Sequence, residues 1–307
     1  MDVPEYVEKL RRPVPRQVQV VARDSLRTFG RLTAGSRPLP DYLIIGSKKG
    51  GTTSLTNWLG RHPHVGRMFP SAQRLKSAHY FDINYARGPD WYRSHFPTNR
   101  SRRVQERRVN GTVIVGEASP YYMFHPAAAG RVLETVPHVK AIALLRDPVA
   151  RAYSNYWDRR ATGTEELPTF EAAIEAEEQR LADVDHARLL TDPSYYSFDH
   201  DNHAYLARGR YLEHLRPWME ALPPEQLLIL RAETMFEDPY PVFARVQEFL
   251  EIPVVDSITL SKYNERPREA MDPVTVQRLA EYYRPHNRAL YEALGEDFHW
   301  ESRYFSS

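Results

Sequence analysis

The stretch that decides the fold covers residues 41–55 and reads DYLIIGSKKGGTTSL. Its first part, Tyr42 to Ile45, is a short apolar run typical of a buried strand. A loop with three glycines follows, and Thr52 then opens an apolar-periodic stretch that predicts a helix. Glycines let backbone N–H groups approach a ligand closely, and the N-terminus of a helix favours negative charge. The sequence therefore predicts a strand, a glycine loop and a helix that together hold an anion such as phosphate or sulfate.

The lysines of this loop separate it from a related one. Two of the chain's six lysines, Lys48 and Lys49, lie side by side here, and a compact ammonium suits a point contact to a phosphate or sulfate oxygen. In a Walker A loop, G-x-x-x-x-G-K-[ST], the lysine follows the second glycine. Gly46 and Gly51 have that spacing, but Thr52 follows them and the lysines come before the glycine pair. The alternative is an ordinary strand–turn–helix with surface lysines.

The composition narrows the class of protein. The 307 residues, 42% of them hydrophobic, suffice for one large domain or two small ones. A net charge of +1 gives no general attraction to nucleic acid. The sequence has no apolar run of about 18 residues, so we expect no membrane span. The lack of cysteine excludes disulfides and thiolate metal sites, and the N-terminus lacks the apolar core of a signal peptide. We therefore expect a cytoplasmic protein with no nucleic-acid partner, while its oligomeric state stays open.

Two regions are predicted along the chain. Residues 1–40 carry eight basic and four acidic side chains and five prolines, so we expect an N-terminal extension over residues 1–39 and the main domain over residues 40–307. In the main domain, short apolar runs alternate with longer helical patterns, which is typical of an α/β fold. We predict a single P-loop-like domain with a central, mostly parallel sheet and helices on both faces.

The later elements follow from the same periodicities. Residues 183–203 have no clear period and carry several aromatic side chains, so they form either a cover or acceptor wall, or ordered surface. The predicted strands after the first are Val113–Val115, Ala141–Leu145 and Leu227–Leu230, and the predicted helices are Pro148–Arg160, Phe170–Leu181, Tyr205–Trp218, Pro239–Leu250 and Pro273–Leu294.

A second informative stretch covers residues 141–156 and reads AIALLRDPVARAYSNY. Arg146 follows a predicted strand, at the edge where α/β sheets bind ligands. Ser154 comes six residues after Pro148, about 9 Å along the predicted helix. An arginine fork and a hydroxyl in this arrangement can share one phosphate. The alternative is a structural ion-pair arginine and a serine on the helix surface.

The two stretches together resemble those of sulfotransferases that use 3′-phosphoadenosine 5′-phosphosulfate (PAPS). The resembling branch contains bacterial sulfotransferases and the heparan sulfate sulfotransferase domains of animals, and the similarity covers about residues 40–300. The resemblance implies one domain with a central parallel sheet, PAPS as donor, and a hydroxyl or, less expected, an amine of a small-molecule or carbohydrate acceptor. Further matching segments are Trp91–Arg93, Gly116–Tyr122, Tyr205–Tyr211 and Tyr283–Asn287.

The resemblance also implies roles for individual residues. Lys49 would contact the bridging oxygen as the sulfuryl group leaves, and Arg146 with Ser154 would bind the 3′-phosphate. A basic loop late in the chain would close on the nucleotide. No metal is expected, because lysine and backbone amides can neutralise the leaving nucleotide. The remaining donor-binding candidates are Lys48, Gly50, Gly51, Thr52, Thr53 and Ser54 in the glycine loop, and Tyr263, Arg266 and Arg268 in the late loop.

One position departs from the family pattern. The family has Lys-Glu-x-His-[Phe/Tyr]-Phe-Asp, in which the glutamate is the general base, whereas residues 76–82 here read KSAHYFD. Ser77 stands at the base position, and a serine cannot act as a free base near neutral pH. His79 is the nearest replacement, since its ordinary pKa is about 6.5; alternatively it only orients the loop. The animal heparan enzymes also carry lysine where Ala118 stands, which weakens the inference that this protein shares their substrate.

Two rival functions remain. A P-loop kinase would use Leu144 to Asp147 as the end of a Walker B strand, and a requirement for magnesium would favour it. A catalytically weak nucleotide-binding relative is suggested by Ser77. Product formation with a good phenol acceptor would separate that relative from an active sulfotransferase.

Overall fold

A computed structural model describes residues 25–73, 75–261 and 269–305. Its centre is a five-stranded sheet in the order β2-β3-β1-β4-β5, in which every neighbouring pair is parallel. This confirms the predicted α/β class. The strands are β1 Tyr42–Gly46, β2 Val65–Gly66, β3 Ile114–Ala118, β4 Lys140–Leu145 and β5 Leu227–Arg231.

Helices connect and follow the strands, and residues 25–32 are also helical. The labelled helices are α1 Thr52–Leu59, α2 Pro89–Arg93, α3 Asn99–Val109, α4 Ala128–Thr135, α5 Pro148–Ala161, α6 Phe170–Glu175, α7 Glu177–Ala182, α8 His186–Thr191, α9 Phe198–Asn202, α10 Tyr211–Ala221, α11 Ala232–Glu237, α12 Pro239–Phe249 and α13 Pro273–Leu294. Short 3₁₀ turns cover Ala34–Ser36, Ser71–Gln73, Tyr85–Arg87, Ala207–Gly209, Pro224–Gln226 and Trp300–Arg303.

Both faces of the sheet are buried. Along β1, Leu43 and Ile45 join one hydrophobic cluster, while Tyr42 and Ile44 join another. Successive side chains of a strand point to opposite faces, so these two clusters are the two sides of the sheet. Helices α4, α10 and α13 contribute to the first cluster, and α1 and α12 contribute to the second. The predicted cover of helices on both faces is confirmed.

Several helix boundaries differ from the sequence prediction. The predicted helix Tyr205–Trp218 begins only at Tyr211, because the buried carboxylate of Glu177 binds the backbone N–H groups of Leu206 and Ala207 at 2.6 and 2.8 Å. The predicted helix Phe170–Leu181 is split at Ala176 into α6 and α7, and Glu177 is the first residue of α7. Residues 183–203 contain α8 and α9, which are too short to show a helical period.

The described part of the predicted N-terminal extension packs on the domain. Arg37 is buried, its Nη1 donates to the carbonyl of Phe96, and its own carbonyl accepts from Nη1 of Arg93 at 2.8 Å. The division at residue 39 therefore stays a prediction. Across residues 25–73, 75–261 and 269–305, we find no helix with the length and apolar character needed to cross a membrane.

Candidate active site

The glycine loop after β1 is hydrogen-bonded to the end of β4. The backbone N–H and the Oγ of Ser47 both donate to the carbonyl of Leu144 at 2.8 Å. Nη1 of Arg146 donates to the carbonyl of Lys49 at 3.2 Å. The two sequence motifs, about one hundred residues apart, therefore meet at the carboxyl edge of adjacent parallel strands, where ligands bind in such sheets.

The loop is too tight for side chains at two of its glycines. A Cβ on Gly50 would lie 2.4 Å from the carbonyl oxygen of Leu144. Gly51 caps α1 with a φ of 97°, which disfavours any other residue. The N–H of Gly50 donates to the carbonyl of Ser47 at 2.9 Å, the N–H of Ser54 donates to the carbonyl of Gly51 at 3.0 Å, and α1 begins directly after the loop. The bare backbone and the N-terminus of α1 therefore favour a bound anion at this loop.

The two loop lysines point to different helices. Nζ of Lys48 donates to the carbonyl of Asp201 in α9 at 2.7 Å and lies 3.3 Å from its Oδ1. Nζ of Lys49 donates to Oδ1 of Asp158 in α5 at 2.9 Å. Burial, together with the charge of Arg208, lowers the pKa of Lys48 to about 7, although Asp201 acts in the opposite direction. The ammonium of Lys48 is therefore buried against α9, while the ammonium of Lys49 has one carboxylate partner, Asp158, beside the loop.

Arg146 and Ser154 lie on the segment that runs from β4 into α5. Asp147 caps α5, since its Oδ1 accepts from the N–H of Val149 at 3.0 Å. The carbonyl of Arg146 accepts from the hydroxyl of Tyr211 at 2.6 Å, and its guanidinium lies over the ring of Phe236. The remaining donor-site candidates, Tyr263, Arg266 and Arg268, lie outside the described residues.

Ser77 is engaged by its surroundings on two sides. Its Oγ donates to Oε2 of Glu117 at 2.7 Å and accepts from the N–H of His79 at 2.8 Å. The segment also pairs with the end of β3, because the N–H of Ala118 donates to the carbonyl of Lys76 at 2.8 Å. Ser77 thus joins the segment that carries His79 to β3.

Glu117, for which the sequence predicts no role, is the buried acceptor that organises this segment. Its Oε2 accepts from Ser77 and from the N–H of Ala78 at 2.6 Å. Its Oε1 accepts from the hydroxyls of Tyr92 and Tyr122, both at 2.7 Å. Because four donors converge on one buried carboxylate, Glu117 anchors the elements that carry them.

His79 is held by a second carboxylate. Its Nδ1 lies 3.0 Å from Oδ2 of the buried Asp82, which also accepts from Oγ of Ser119 at 2.7 Å. Burial lowers the pKa of His79, but the hydrogen bond and charge of Asp82, with the charges of Glu117 and Asp201, outweigh burial and raise it. A neutral ring that donates from Nδ1 to Asp82 keeps its lone pair on Nε2, which is the form a general base needs.

Lys49 and His79 share an unusual backbone conformation. Their φ angles are 71° and 48°, in the left-handed region, which costs a non-glycine residue about 1–2 kcal/mol. Such outliers persist where the surroundings fix them, and they concentrate at functional sites. Three other described non-glycine residues have positive φ, and they lie at or beside helix ends: Asn110, Glu251 and His299.

Within the described ranges, no group of three or more His, Asp or Glu side chains could hold a metal ion. The expectation of a metal-independent reaction stays a prediction.

The comparisons with known proteins agree with this geometry. Residues 39–279 match the family described as sulfotransferase domain. Human heparan sulfate glucosamine 3-O-sulfotransferase 6 is 30% identical, over 87% of this chain and 75% of that protein. Human heparan sulfate glucosamine 3-O-sulfotransferase 3A1 is 29% identical over 88% of this chain, which spans 64% of that relative's length.

A solved structure agrees at the level of the fold. The crystal structure of a sulfotransferase from Alicyclobacillus acidocaldarius has a TM-score of 0.63 at 24% identity, covering 86% of this chain and 99% of that one. With the sheet order, the glycine loop and the family match taken together, the chain belongs to the sulfotransferase family.

Proposed function

We propose that this protein transfers the sulfuryl group of PAPS to a hydroxyl of a small-molecule or carbohydrate acceptor. The observation that carries the proposal is the junction of the two motifs. Nη1 of Arg146 donates to the carbonyl of Lys49, so the side chain proposed for the 3′-phosphate contacts the backbone of the residue proposed for the leaving oxygen. A nucleotide that carries one phosphate at its 3′ position and another at its 5′ position suits this arrangement.

The donor would lie along the loop and α5. Gly50, Gly51 and the first turn of α1, Thr52 to Ser54, would bind the 5′-phosphate through backbone N–H groups and hydroxyls. Arg146 and Ser154 would bind the 3′-phosphate, and Lys48, through its contact with Asp201, would support the loop from behind. Tyr263, Arg266 and Arg268 stay candidates for closing the site.

The chemical step follows from Lys49 and the loop amides. The acceptor oxygen would form a bond to sulfur in line with the bond from sulfur to the bridging oxygen, which breaks as adenosine 3′,5′-bisphosphate leaves. Nζ of Lys49 would meet the charge that grows on the bridging oxygen. Fixed donors aimed at developing charge act mainly in the transition state.

We assign the acceptor's proton to Nε2 of His79. Nδ1 of that ring is bound to Asp82, which holds the ring and stabilises it once it is charged. Ser77 is a poor base in this setting, because its hydroxyl donates to Glu117, itself held by three further donors. The geometry therefore favours an active enzyme in which His79 is the base. A catalytically weak relative with no residue at the base position is less favoured.

The acceptor class is drawn from chemistry and from relatives. The human relatives are named for the 3-O position of a heparan sulfate glucosamine, which supports a hydroxyl acceptor rather than an amine. Ala118 stands where the resemblance places lysine in those animal enzymes, so a less anionic acceptor than heparan sulfate is proposed here. A P-loop kinase is not favoured, because the family match is to sulfotransferases.

Nucleotide binding tests the donor. Calorimetry with adenosine 3′,5′-bisphosphate, AMP and ADP should show much tighter binding of the bisphosphate, since contacts of charged groups to the 3′-phosphate are worth roughly 1.5–3 kcal/mol each. The matched variant Ser154→Ala should weaken binding of the bisphosphate and leave binding of AMP unchanged. Equal affinities for the three nucleotides would remove the assignment of Arg146 and Ser154.

A further inference from the structure

The lysine that we place at the leaving oxygen already has an anionic partner. Nζ of Lys49 donates to Oδ1 of Asp158 at 2.9 Å. The other oxygen, Oδ2, accepts from Nη2 of Arg159 at 2.5 Å, and Nη1 of Arg159 donates to Oδ1 of Asn202 at 2.6 Å. Asp158 is therefore held in place from both sides, and its position against Lys49 is defined.

Asp158 lies on the helix that we assign to the donor. It follows Ser154 by four residues in α5, and residues four apart lie on the same face of a helix, one turn from each other. The proposed 3′-phosphate ligand and the carboxylate on Lys49 thus share one face of α5. A donor that spans from Ser154 to Lys49 would bring its phosphosulfate next to Asp158.

The carboxylate stays ionised in this setting. Burial raises the pKa of Asp158, but the hydrogen bonds from Arg159 and Lys49 and their charges outweigh burial and hold that pKa below its ordinary value. Near neutral pH the contact is therefore between a carboxylate and an ammonium. An incoming phosphosulfate must compete with an anion for the same lysine.

We propose that Asp158 is a resident counter-ion of Lys49, which the phosphosulfate displaces on binding and which takes Lys49 back as adenosine 3′,5′-bisphosphate leaves. This inference rests on the proposed function. In the empty site Asp158 holds the flexible lysine side chain in place. In the loaded site its charge repels the donor, so Asp158 lowers nucleotide affinity and speeds product release.

The sign of one change in affinity separates this role from a structural one. Asp158→Asn keeps the shape and removes the charge, so adenosine 3′,5′-bisphosphate should bind about three- to tenfold more tightly. The nucleotide should also dissociate more slowly by a similar factor. If Asp158 only positioned Lys49, its loss would leave the lysine misplaced and binding would weaken.

A matched control exists at the start of β4, at the end of that strand opposite to the glycine loop. Glu251 pairs with Lys140 at 2.8 Å, and Lys140 begins β4, about 20 Å along the strand from the loop at about 3.3 Å per residue. Glu251→Gln makes the same change of charge in another acid–lysine pair. Its affinity for the nucleotide should match that of the parent protein.

The experiment is calorimetry and stopped-flow dissociation with adenosine 3′,5′-bisphosphate on the parent, Asp158→Asn, Asp158→Ala and Glu251→Gln, after thermal melting has shown that each is folded. Tighter binding and slower dissociation in either folded Asp158 variant support the inference. Unchanged or weaker binding in the Asp158 variants, with normal binding by the parent, overturns it and leaves the proposed function standing. A parent that does not bind the nucleotide overturns the proposed donor site and this inference together.

Discussion

Replacing Glu117 should reveal how strongly the segment that carries His79 depends on one buried carboxylate. Glu117→Ala removes the acceptor of four hydrogen bonds, two on each oxygen. The hydroxyl donors can rotate toward other partners, but the N–H of Ala78 cannot. With each buried unsatisfied donor costing about 1–3 kcal/mol, and with partial relief by rotation, we expect a loss of about 4–5 kcal/mol in the free energy of unfolding.

Glu117→Gln is the matched variant. Its amide oxygen can accept from the N–H of Ala78 and the hydroxyl of Ser77, and its amide nitrogen can donate to the hydroxyl oxygens of Tyr92 and Tyr122, whose own O–H groups then turn to other acceptors. Four hydrogen bonds to a charged group become neutral ones, a difference of about 1 kcal/mol each. Removing a buried charge returns part of that, so we expect a net loss of about 1–3 kcal/mol.

Urea denaturation followed by circular dichroism measures both losses under the same conditions. The reasoning requires the alanine variant to lose clearly more than the glutamine variant, with m-values unchanged. It would be refuted if both variants kept the parental stability, or if glutamine cost as much as alanine. In either case the four hydrogen bonds would not be what anchors residues 76–82.

The catalytic assignments give two further predictions. Lys49→Ala should lower kcat by about 10²–10³ while changing nucleotide affinity less, because its contact strengthens as the bridging oxygen gains charge; a larger effect of Lys48→Ala in steady-state kinetics would place the two lysines in each other's roles. His79 must be neutral to act as base and its pKa is raised, so the rate with an alcohol acceptor should fall as pH drops through a value above 6.5. In Asp82→Asn the carboxylate charge is lost and this midpoint should move to lower pH, whereas a flat pH–rate profile for the parent would remove His79 as base.

The local part of the site could be predicted because its signals are contiguous. The glycines, lysines and threonine of the loop all lie within residues 46–52. The glycines permit a tight backbone, the lysines supply charge, and the threonine begins the helix. Four strands of the described sheet were predictable for the same reason, since each contains a short apolar run, whereas the two-residue strand β2 was missed because it is too short to show one. The position of Arg146 could be predicted because the strand before it fixes which edge of the sheet it reaches, while its role in binding phosphate stays a prediction.

The partners of these residues could not be predicted, because they come from distant parts of the chain. Asp158 is 109 residues from Lys49, and Asp201 is 153 residues from Lys48. Each is an ordinary acid in a helix, with nothing in its own neighbours to mark it. Glu117 had a signal that could have been used, namely a charged residue inside an otherwise apolar strand, which must find donors when it is buried.

The short helices escaped prediction for a different reason. α8 and α9 have six and five residues, so they contain less than two turns and no apolar period. Their only local marks are the caps Asp185 and Ser197, whose side chains each accept from the N–H of the residue three positions later. The position of α9 against the loop, through Lys48, depends on tertiary contacts.

Transfer from PAPS tests the account most directly. The protein would be incubated with PAPS and a set of phenol and sugar acceptors in the presence of a metal chelator, and the nucleotide and acceptor products would be quantified by mass spectrometry. The account predicts equal amounts of adenosine 3′,5′-bisphosphate and sulfated acceptor, with both formed about 10²–10³-fold more slowly by Lys49→Ala. Absence of sulfated product with every acceptor, or transfer of phosphate from ATP that requires magnesium, would contradict it.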